Sequence, residues 1–459
     1  MHLKHHPVLR FLLLRLLPAL LLLLFVLGVW GYRRAVQRFK GPSVAMCQLP
    51  PLARKSFEPP HQLSSATTPG ALLYDVEPAA ALLPDGALAV AFNARARFFS
   101  GDSSLIVGRM EPDGRATLHP YPTDRRHTFD AWMSDGPDGK ARLVWLGHDG
   151  GAPERNMKVG YAETRDGLTW TTPPGTAHAP ADCPEGTRGC IDKTMVAAGP
   201  GGIYSIYYSE PGEGLMVARS ELGAPHFATS VKTPLGAYGD VFLAPSGALH
   251  LVAVSGEDHV ESRYGDPAMR VLYTRSDDGG KTFSPPSLVS EGQPVPFYFS
   301  NPQVTMDEAR GFLYVAWPSG TPDGRWDIYL GTSRDQGKTW TRIKVNDDAT
   351  CATHMTPQTA LDPRTGALHV TWLDNRDGGG ALAYAACEPG GARCSANEAV
   401  SDKPFASYSF ERHLPAWLSE YGVLLVDAER RLLHAFWTQP VDEDGRPTSR
   451  IFHARKRLP

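Results

Sequence analysis

The chain repeats one pattern of polar and apolar positions along most of its length. A short polar turn comes first, and a run follows in which apolar side chains alternate with other residues. Seven such runs occupy residues 84–92, 138–145, 201–208, 246–253, 310–317, 365–372 and 430–437. Alternation with a period of two after a turn is typical of a half-buried β-strand. Each run therefore predicts a strand.

A second strand-like run follows each of the first. These second runs are residues 104–110, 158–164, 214–220, 270–276, 327–333, 381–387 and 450–455. The resulting hairpins recur about 45 to 65 residues apart, which is the spacing of propeller blades. No stretch of helical period interrupts residues 75–459. We therefore predict an all-β protein with one seven-bladed β-propeller domain, and six blades as the alternative.

Three of the second runs end in a sharper motif. Residues 276–283 and 333–340 both read Ser-x-Asp-x-Gly-x-Thr-aromatic, and residues 164–170 are one residue shorter. In this motif the sequence resembles the Asp-box (BNR) repeat proteins, a propeller group that includes the sialidases, and the resemblance covers about residues 74–456. A carboxylate in such a turn accepts hydrogen bonds from its own loop. We therefore expect Asp166, Asp278 and Asp335 to staple the blades rather than to catalyse a reaction.

The two ends of the repeat region suggest how the ring closes. The seventh repeat stops at Pro459 after its second strand, so its blade lacks an outer strand. We expect a segment between about residues 43 and 74 to supply that strand and to cover the edge. The expected domains are a short N-terminal segment (1–10), a membrane helix (11–31), a proline-rich linker with the closing strand (32–69) and the propeller (70–459).

The N-terminal apolar segment runs from Phe11 to Gly31 and carries one charge, Arg15. Its length suits a helix that crosses a hydrocarbon core about 30 Å thick. Cleavage as a signal peptide is the alternative, but Trp30 interrupts a small-residue cleavage site. We expect an uncleaved signal anchor. Basic residues flank the segment on both sides, so they do not set its orientation.

The six cysteines bear on the compartment of the propeller. Cys183 lies close to Cys190 and Cys387 close to Cys394, while Cys47 and Cys351 form a possible third pair. An even number at such spacing favours disulfides in an oxidising compartment, with free thiols as the alternative. We therefore expect the propeller to lie in the periplasm or outside the cell.

Charge and composition exclude several partners. The net charge is −3, so no basic field attracts nucleic acid. Neither close cysteine pair has the spacing of a zinc site, and we expect no metal and no cofactor. The acidic stretch at residues 257–266 lacks the spacing of a calcium loop and is expected to be solvated. We expect a monomer that contacts the membrane through its N-terminal helix.

The resemblance also implies candidate chemistry. In sialidases, three arginines bind the substrate carboxylate, a tyrosine activated by a glutamate is the nucleophile, and an aspartate is the acid and base. By position, Asp102 would be the acid and base, with a turn residue as the alternative. Tyr421 would be the nucleophile, with a packed aromatic as the alternative. The candidate ligand-binding arginines are Arg95, Arg97, Arg263, Arg376 and Arg412, although Arg376 is also expected to pair with Asp374 or Asp377.

Two features depart from the sialidase pattern. The first sialidase arginine lies in an aromatic-Arg-Ile-Pro motif, and this chain has Tyr-Asp-Val-Glu-Pro at residues 74–78. Sialidases have six blades, whereas seven-bladed Asp-box propellers include both glycan hydrolases and assembly factors. A second set of candidates, His127, Asp130, Trp132 and His354, precedes or opens predicted strands, with loop hydrogen bonding as the alternative.

Two functions follow from these observations. The first is a membrane-anchored, sialidase-like propeller that recognises or processes glycans. The alternative is a non-catalytic propeller that docks another envelope protein as an assembly or scaffold factor. The motif predicts the fold, whereas activity depends on the site.

Overall fold

The alternating runs form antiparallel strands in the computed structural model. It describes residues 52–96, 102–150, 155–178, 189–209, 214–227, 229–236, 239–255, 270–290, 301–320, 326–348, 352–376, 380–402 and 422–459. No residue within these ranges lies in a helix, and hence none of them belongs to a helix that could cross a membrane. The expected membrane segment at residues 11–31 lies outside the described ranges.

After a short first strand, the strands follow one another in six groups of four and a last group of three. The first two groups are preceded by β1 (His61–Gln62) and comprise β2 (Tyr74–Leu82), β3 (Leu88–Arg95), β4 (Ser103–Met110), β5 (Ala116–Pro120), β6 (His127–Asp135), β7 (Ala141–His148), β8 (Lys158–Thr164) and β9 (Trp170–Thr171). The next two comprise β10 (Ile191–Gly199), β11 (Gly202–Ser209), β12 (Gly214–Ser220), β13 (Ser230–Lys232), β14 (Gly239–Leu243), β15 (Leu249–Ser255), β16 (Arg270–Ser276) and β17 (Ser287–Leu288). The remainder are β18 (Gln303–Asp307), β19 (Phe312–Gly320), β20 (Trp326–Ser333), β21 (Thr341–Lys344), β22 (His354–Leu361), β23 (Leu368–Asp374), β24 (Ala381–Cys387), β25 (Glu398–Ala399), β26 (Val423–Asp427), β27 (Leu432–Glu443) and β28 (Arg446–Arg457).

Five of the groups are separate four-stranded sheets, and eight strands share one larger sheet. The separate sheets are β6–β9, β10–β13, β14–β17, β18–β21 and β22–β25. The larger sheet has the order β26-β27-β28-β2-β3-β4-β5, with β1 also paired to β28. The protein is therefore an all-β propeller with five separate blades, which corrects the expected seven and the alternative six. All seven predicted hairpins are present, but the first and last join through one parallel pair, Tyr74 with Ser449.

The first strand of every group faces a central channel. Neighbouring inner strands contact one another in the order β2, β6, β10, β14, β18, β22 and β26, and β26 contacts β2 again. They enclose a cavity of about 600 Å³. We call the end of the channel where these inner strands begin the mouth. Because each sheet is an antiparallel meander, the turns after the third strands lie at the opposite end.

The hydrophobic core lies between adjacent sheets rather than at the channel. Val144 and Tyr161 of one sheet, for example, pack against Ile203 and Tyr207 of the next. The tryptophans that end three consecutive runs, Trp317, Trp372 and Trp437, are at most 2% exposed. Burial of one large apolar side chain contributes about 2–3 kcal/mol. The alternation in the sequence therefore reflects packing between blades.

The Asp boxes lie at the end of the channel opposite the mouth. Asp335 accepts hydrogen bonds from Ser333 Oγ at 2.8 Å, from the Thr339 amide at 2.9 Å and from Thr339 Oγ1 at 2.6 Å. Asp278 makes the same contacts in its own turn, and Asp166 makes a reduced set. These carboxylates close their turns and face away from the mouth, as expected for structural staples.

A disulfide takes the place of the Asp box in the sheet β22–β25. Cys387 ends β24 and is bonded to Cys394, the predicted pair, across seven residues. Cys190 is also disulfide-bonded. Its expected partner Cys183 lies outside the described residues, as do Cys47 and Cys351. Within the described ranges no cysteine is free.

The segment that precedes the first blade binds across the last two. We call residues 52–64 the strap. Ser56 Oγ donates a hydrogen bond to Glu398 Oε1 at 2.5 Å, and Phe57 is buried beside Tyr384 with ring centroids 5.1 Å apart. β1 then pairs antiparallel with β28 and adds a fourth strand beside β26–β28.

Candidate functional site at the channel mouth

Four inner strands carry the same irregularity just inside the mouth. In β2, β6, β10 and β22 the pairing with the second strand shifts register by a β-bulge. At each bulge one residue adopts a left-handed conformation, with φ of 59° at Glu77, 53° at Asp130, 48° at Lys193 and 49° at Thr356. Such backbone costs about 1–3 kcal/mol for a residue other than glycine, and it is common at functional sites. The side chains at these four bulges are therefore candidates for a functional site.

Glu77 is the centre of the resulting cluster. Arg95 Nη2 donates to Glu77 Oε1 at 3.0 Å and to Oε2 at 3.1 Å, and Asn93 Nδ2 donates to Oε2 at 3.0 Å. The backbone amide of Asp130, on the neighbouring inner strand, also donates to Oε2 at 2.8 Å. The carboxylate of Glu77 thus links β2 and β3 to the bulge of β6.

Asp130 repeats this arrangement one strand further around the ring. Its Oδ2 accepts a hydrogen bond from the Lys193 amide at 3.2 Å, and Lys193 Nζ lies 3.8 Å from its Oδ1. The guanidinium of Arg95 also lies over the Phe129 ring, 5.9 Å from its centroid. We call Glu77, Arg95, Asp130 and Lys193 the mouth cluster. It places two carboxylates and two cations from three neighbouring blades at one end of the channel.

The electrostatics of the cluster follow from its burial. The Glu77 side chain is 8% exposed and that of Asp130 5% exposed. Burial raises the pKa of Glu77, and the negative charge of Asp130 acts in the same direction, whereas Arg95 and Lys193 oppose the rise. Burial therefore favours the protonated form of the Glu77 carboxyl group.

The channel below the mouth cluster is lined mainly by apolar side chains and backbone. Trp132, Met133 and Phe242 contribute to its wall, and Gln303 and Gln358 provide amides. A cavity of about 600 Å³ lies within the size range of small-molecule sites. The lining of this cavity extends to the turns that follow the inner strands, at Pro137, Pro200 and Pro245, and does not include the four side chains of the mouth cluster.

A second polar cluster lies where β22 begins. His354 is fully buried, with Nε2 2.9 Å from Asp348 Oδ1 and Nδ1 3.2 Å from Asp374 Oδ2. Arg376 Nη2 lies 2.8 Å from the same oxygen of Asp374. Burial alone would lower the pKa of His354, but Asp374 and Asp348 outweigh it and raise the pKa to about 9. This network is a buried set of ion pairs at the start of β22.

The residues expected from the sequence are distributed between these places. Arg95 and Asp130 belong to the mouth cluster, whereas Arg376 pairs with Asp374 inside the His354 network. Asp102 lies outside both clusters and pairs with Arg126 at 2.9 Å, with side chains 64% and 70% exposed. The other expected residues, Arg97, Arg263, Arg412 and Tyr421, lie outside the described residues.

His127 and Trp132 lie close to the mouth cluster without joining it. The ring of His127 stacks on His148 with centroids 4.9 Å apart, and Trp132 contributes to the channel wall. Among the described residues no group of three or more histidine, cysteine, aspartate or glutamate side chains is arranged to hold a metal ion.

Sequence reasoning missed Glu77 and Lys193. Glu77 is one of the residues 74–78 that replace the sialidase arginine motif, and Lys193 follows Asp192 at the start of a predicted blade. The sequence does show a charged residue near the start of several inner strands. These residues indicate a site only once the fold places the strands side by side.

Comparison with known proteins agrees with this fold. A family model described as BNR repeat-like domain matches residues 236–399. A protein of unknown function from Dyadobacter fermentans has 11% identity and a TM-score of 0.51, over 90% of this chain and 100% of that chain. The NanB sialidase of Streptococcus pneumoniae has 12% identity and a TM-score of 0.49, over 87% of this chain and 71% of its own. A GH93 α-L-arabinofuranosidase of Fusarium graminearum has 11% identity and a TM-score of 0.46, over 86% and 97%.

A comparison with curated proteins gives no match. At 11% identity the likeness to the Dyadobacter fermentans protein shows the fold alone. The ring of sheets is that of a β-propeller, and its residues 236–399 match the BNR repeat-like domain.

Proposed function

We propose that this protein is a membrane-anchored, extracytoplasmic propeller that recognises glycans at the mouth of its central channel. The observation that carries the proposal is the mouth cluster, in which Glu77, Arg95, Asp130 and Lys193 converge from three blades. Sugar hydroxyl groups both donate to carboxylates and accept from guanidinium and ammonium groups. A cluster that offers both kinds of partner at one end of the channel suits such a ligand.

Aromatic rings next to the cluster support the same proposal. Phe129 lies beneath the guanidinium of Arg95, and Trp132 contributes to the channel wall. Aromatic faces give the apolar side of a sugar ring a surface on which to pack. The proposed ligand therefore contacts charged groups with its hydroxyls and an aromatic wall with its ring.

Processing of the bound glycan would use the two carboxyl groups. Glycoside hydrolysis needs one carboxyl group that donates a proton and a second that remains ionised. Burial raises the pKa of Glu77, so Glu77 is the proposed proton donor and Asp130 supplies the second carboxyl group. Recognition alone requires only their hydrogen bonds.

The proposed location depends on the N-terminal segment and the disulfides. Residues 11–31 are apolar enough to act as an anchor, and Cys387 with Cys394 forms the kind of bond that persists in an oxidising compartment. Extraction of cell membranes with alkaline carbonate tests the anchor. The full chain should stay with the membrane, and a variant without residues 1–31 should leave it.

One observation favours the alternative of a non-catalytic propeller that docks an envelope protein. Two of the arginines expected to bind a substrate carboxylate are engaged within the protein, Arg95 with Glu77 and Arg376 with Asp374. Paired arginines are less available to an acidic sugar. Under this alternative the mouth cluster would be a structural joint between blades.

A glycan array probed with the detergent-solubilised full chain separates the two functions. Recognition at the mouth predicts that a subset of glycans is bound and that Glu77→Gln weakens binding at least about tenfold, about 1.4 kcal/mol. Asp113→Asn is the matched control, because this carboxylate also pairs with an arginine, Arg115, but on an exposed turn. Thermal unfolding of each variant confirms that the fold is retained.

The outcomes are distinct. An array that retains no glycan, or binding that Glu77→Gln leaves unchanged, would contradict the proposal. Capture of one envelope protein by cross-linking, with no glycan bound, would establish the alternative. Mass spectrometry of the bound glycans after incubation tells recognition from processing, and processing should stop in Glu77→Gln.

A further inference from the structure

Three imidazole rings meet where the strap closes on the last sheet. His61 of β1 lies directly opposite His453 of β28, and their ring centroids are 4.8 Å apart. His453 Nε2 in turn lies 3.0 Å from His434 Nδ1 on β27. His434 and His453 are buried, at 5% and 2% exposure. We call His61, His434 and His453 the histidine cluster.

Other blades of this protein use a different partner at the same position. His250 Nδ1 and His369 Nδ1 each lie 2.7 Å from a tyrosine hydroxyl, that of Tyr273 and that of Tyr384. His453 occupies the position of these two tyrosines. Each of the three residues pairs with the residue two positions after the histidine of the preceding strand, which is His250, His369 or His434. The sheet that the strap closes therefore has an imidazole, which titrates near neutral pH, where two other sheets have a phenol.

The charged groups around the histidine cluster leave little compensation for added protons. Glu58 of the strap pairs with Arg455 of β28 at 2.7 Å. The remaining carboxylates that face the cluster are also paired with arginines, Asp427 of β26 with Arg430, and Glu111 and Asp113 of the adjacent turn with Arg109 and Arg115. A proton added to one of these neutral imidazoles would thus lie next to the other imidazoles and the guanidinium of Arg455. Among the described residues, the carboxylates that face the cluster are already paired with arginines.

We propose that the histidine cluster is a pH-sensitive latch that holds the strap on β28 at neutral pH and releases it in mild acid. Release of the strap would affect the mouth cluster through the contact between the end of the strap and β2. Ser64, at the end of the strap, donates a hydrogen bond to Asp75 Oδ2 at 2.7 Å and accepts one from the Ile451 amide at 3.0 Å. Asp75 lies on β2, two residues before Glu77. Opening of the strap therefore removes support from the strand that carries Glu77.

The direction of the pH effect follows from proton linkage. Burial is the main cause that lowers the pKa of His434, to about 4, and of His61 and His453. Groups whose pKa is lowered in the closed form bind protons only when it opens, so closure is stable above about pH 6.5 and weakens as the pH falls toward 4. Asp75 acts in the opposite direction, because burial raises its pKa to about 6. Three histidines outweigh this single carboxyl group.

Hydrogen exchange of the full chain in detergent micelles tests the latch. Exchange is measured at pH 7.5 and pH 5.0 and corrected for the intrinsic effect of pH on amide exchange. The strap peptides should lose protection at least about tenfold at pH 5.0, as expected when one buried histidine takes up a proton on opening. Peptides from β19 and β20, which contain no histidine, are the internal control and should keep their protection.

Two variants separate the latch from a general effect of acid. His453→Tyr installs the partner found in the other sheets, and His61→Phe keeps a ring in the strap without a titrating group. Either variant removes one of the three titrating rings and should lose less strap protection at pH 5.0 than the wild type, and the second remains informative if the first does not fold. Equal protection of the wild-type strap at both pH values would overturn the proposal. So would a loss of protection in both variants as large as that of the wild type, or one that occurs together across all sheets.

Discussion

Replacement of His354 by glutamine tests how much a fully buried histidine and its two ion pairs contribute to stability. The imidazolium of His354 lies between Asp348 and Asp374, at 2.9 and 3.2 Å, with no solvent exposure. Its removal leaves two buried carboxylates with Arg376 as their nearby cation. Loss of one partner from a buried ion pair costs about 3–5 kcal/mol. We expect His354→Gln to lower the free energy of unfolding by that amount at pH 7.

The pH dependence of stability gives a sharper form of this prediction. The pKa of His354 is raised to about 9 in the folded protein, against about 6.5 in the unfolded chain. A raised pKa means that the stabilisation is complete below pH 6.5 and is lost as the pH rises through 9. The difference corresponds to about 3 kcal/mol. Wild-type stability should therefore fall by about this amount between pH 6.5 and 9.5, and His354→Gln should not show the fall.

Urea unfolding followed by tryptophan fluorescence measures both effects. His369→Gln is the matched control, because this histidine is also buried in the same sheet but faces the hydroxyl of Tyr384. The pKa of His369 is lowered to about 4, so its removal leaves the alkaline dependence unchanged. A wild-type urea midpoint that stays constant from pH 6.5 to 9.5 would refute the reasoning. A parallel decline in His354→Gln would refute it equally.

Three further predictions concern the staples and turns at the opposite end of the channel. Asp335→Ala removes the hydrogen bonds to its turn and should cost about 1–2 kcal/mol in urea unfolding. Cys387→Ser combined with Cys394→Ser opens the loop of the disulfide and should cost about 2–3 kcal/mol in urea unfolding without reductant. Gly337→Ala places a Cβ 2.1 Å from a tyrosine ring of the preceding sheet at φ +85°, whereas Gly247→Ala meets nothing within 4 Å at φ +90°. Calorimetry should therefore show that the first glycine variant loses at least about 2 kcal/mol more than the second.

Each of these predictions has an opposing result. An Asp335→Ala variant as stable as the wild type would mean that the other turn contacts suffice without the carboxylate. A disulfide variant as stable as the wild type would show that this bond does not contribute to stability. Equal losses in the two glycine variants would show that backbone conformation, rather than contact with the neighbouring sheet, sets the cost.

The sequence by itself predicted those features whose partners are close along the chain. The Asp box is an example, since Ser333, Asp335 and Thr339 lie within one turn and their hydrogen bonds form there. The paired runs likewise predicted all seven hairpins, because alternation and a following turn are local properties of a strand. The disulfide between Cys387 and Cys394 could be predicted for the same reason, because the two cysteines are close along the chain.

Only the tertiary structure decided how these units combine. Tyr74 pairs with Ser449 and merges the first and last hairpins into one sheet, which no local pattern could indicate. The candidate site has the same origin, because Glu77 bonds to the amide of Asp130, 53 residues away. In the sequence Glu77 is one acid in an apolar strand. The bulge turns its side chain toward the next blade, and ring closure supplies the partners that make it a site.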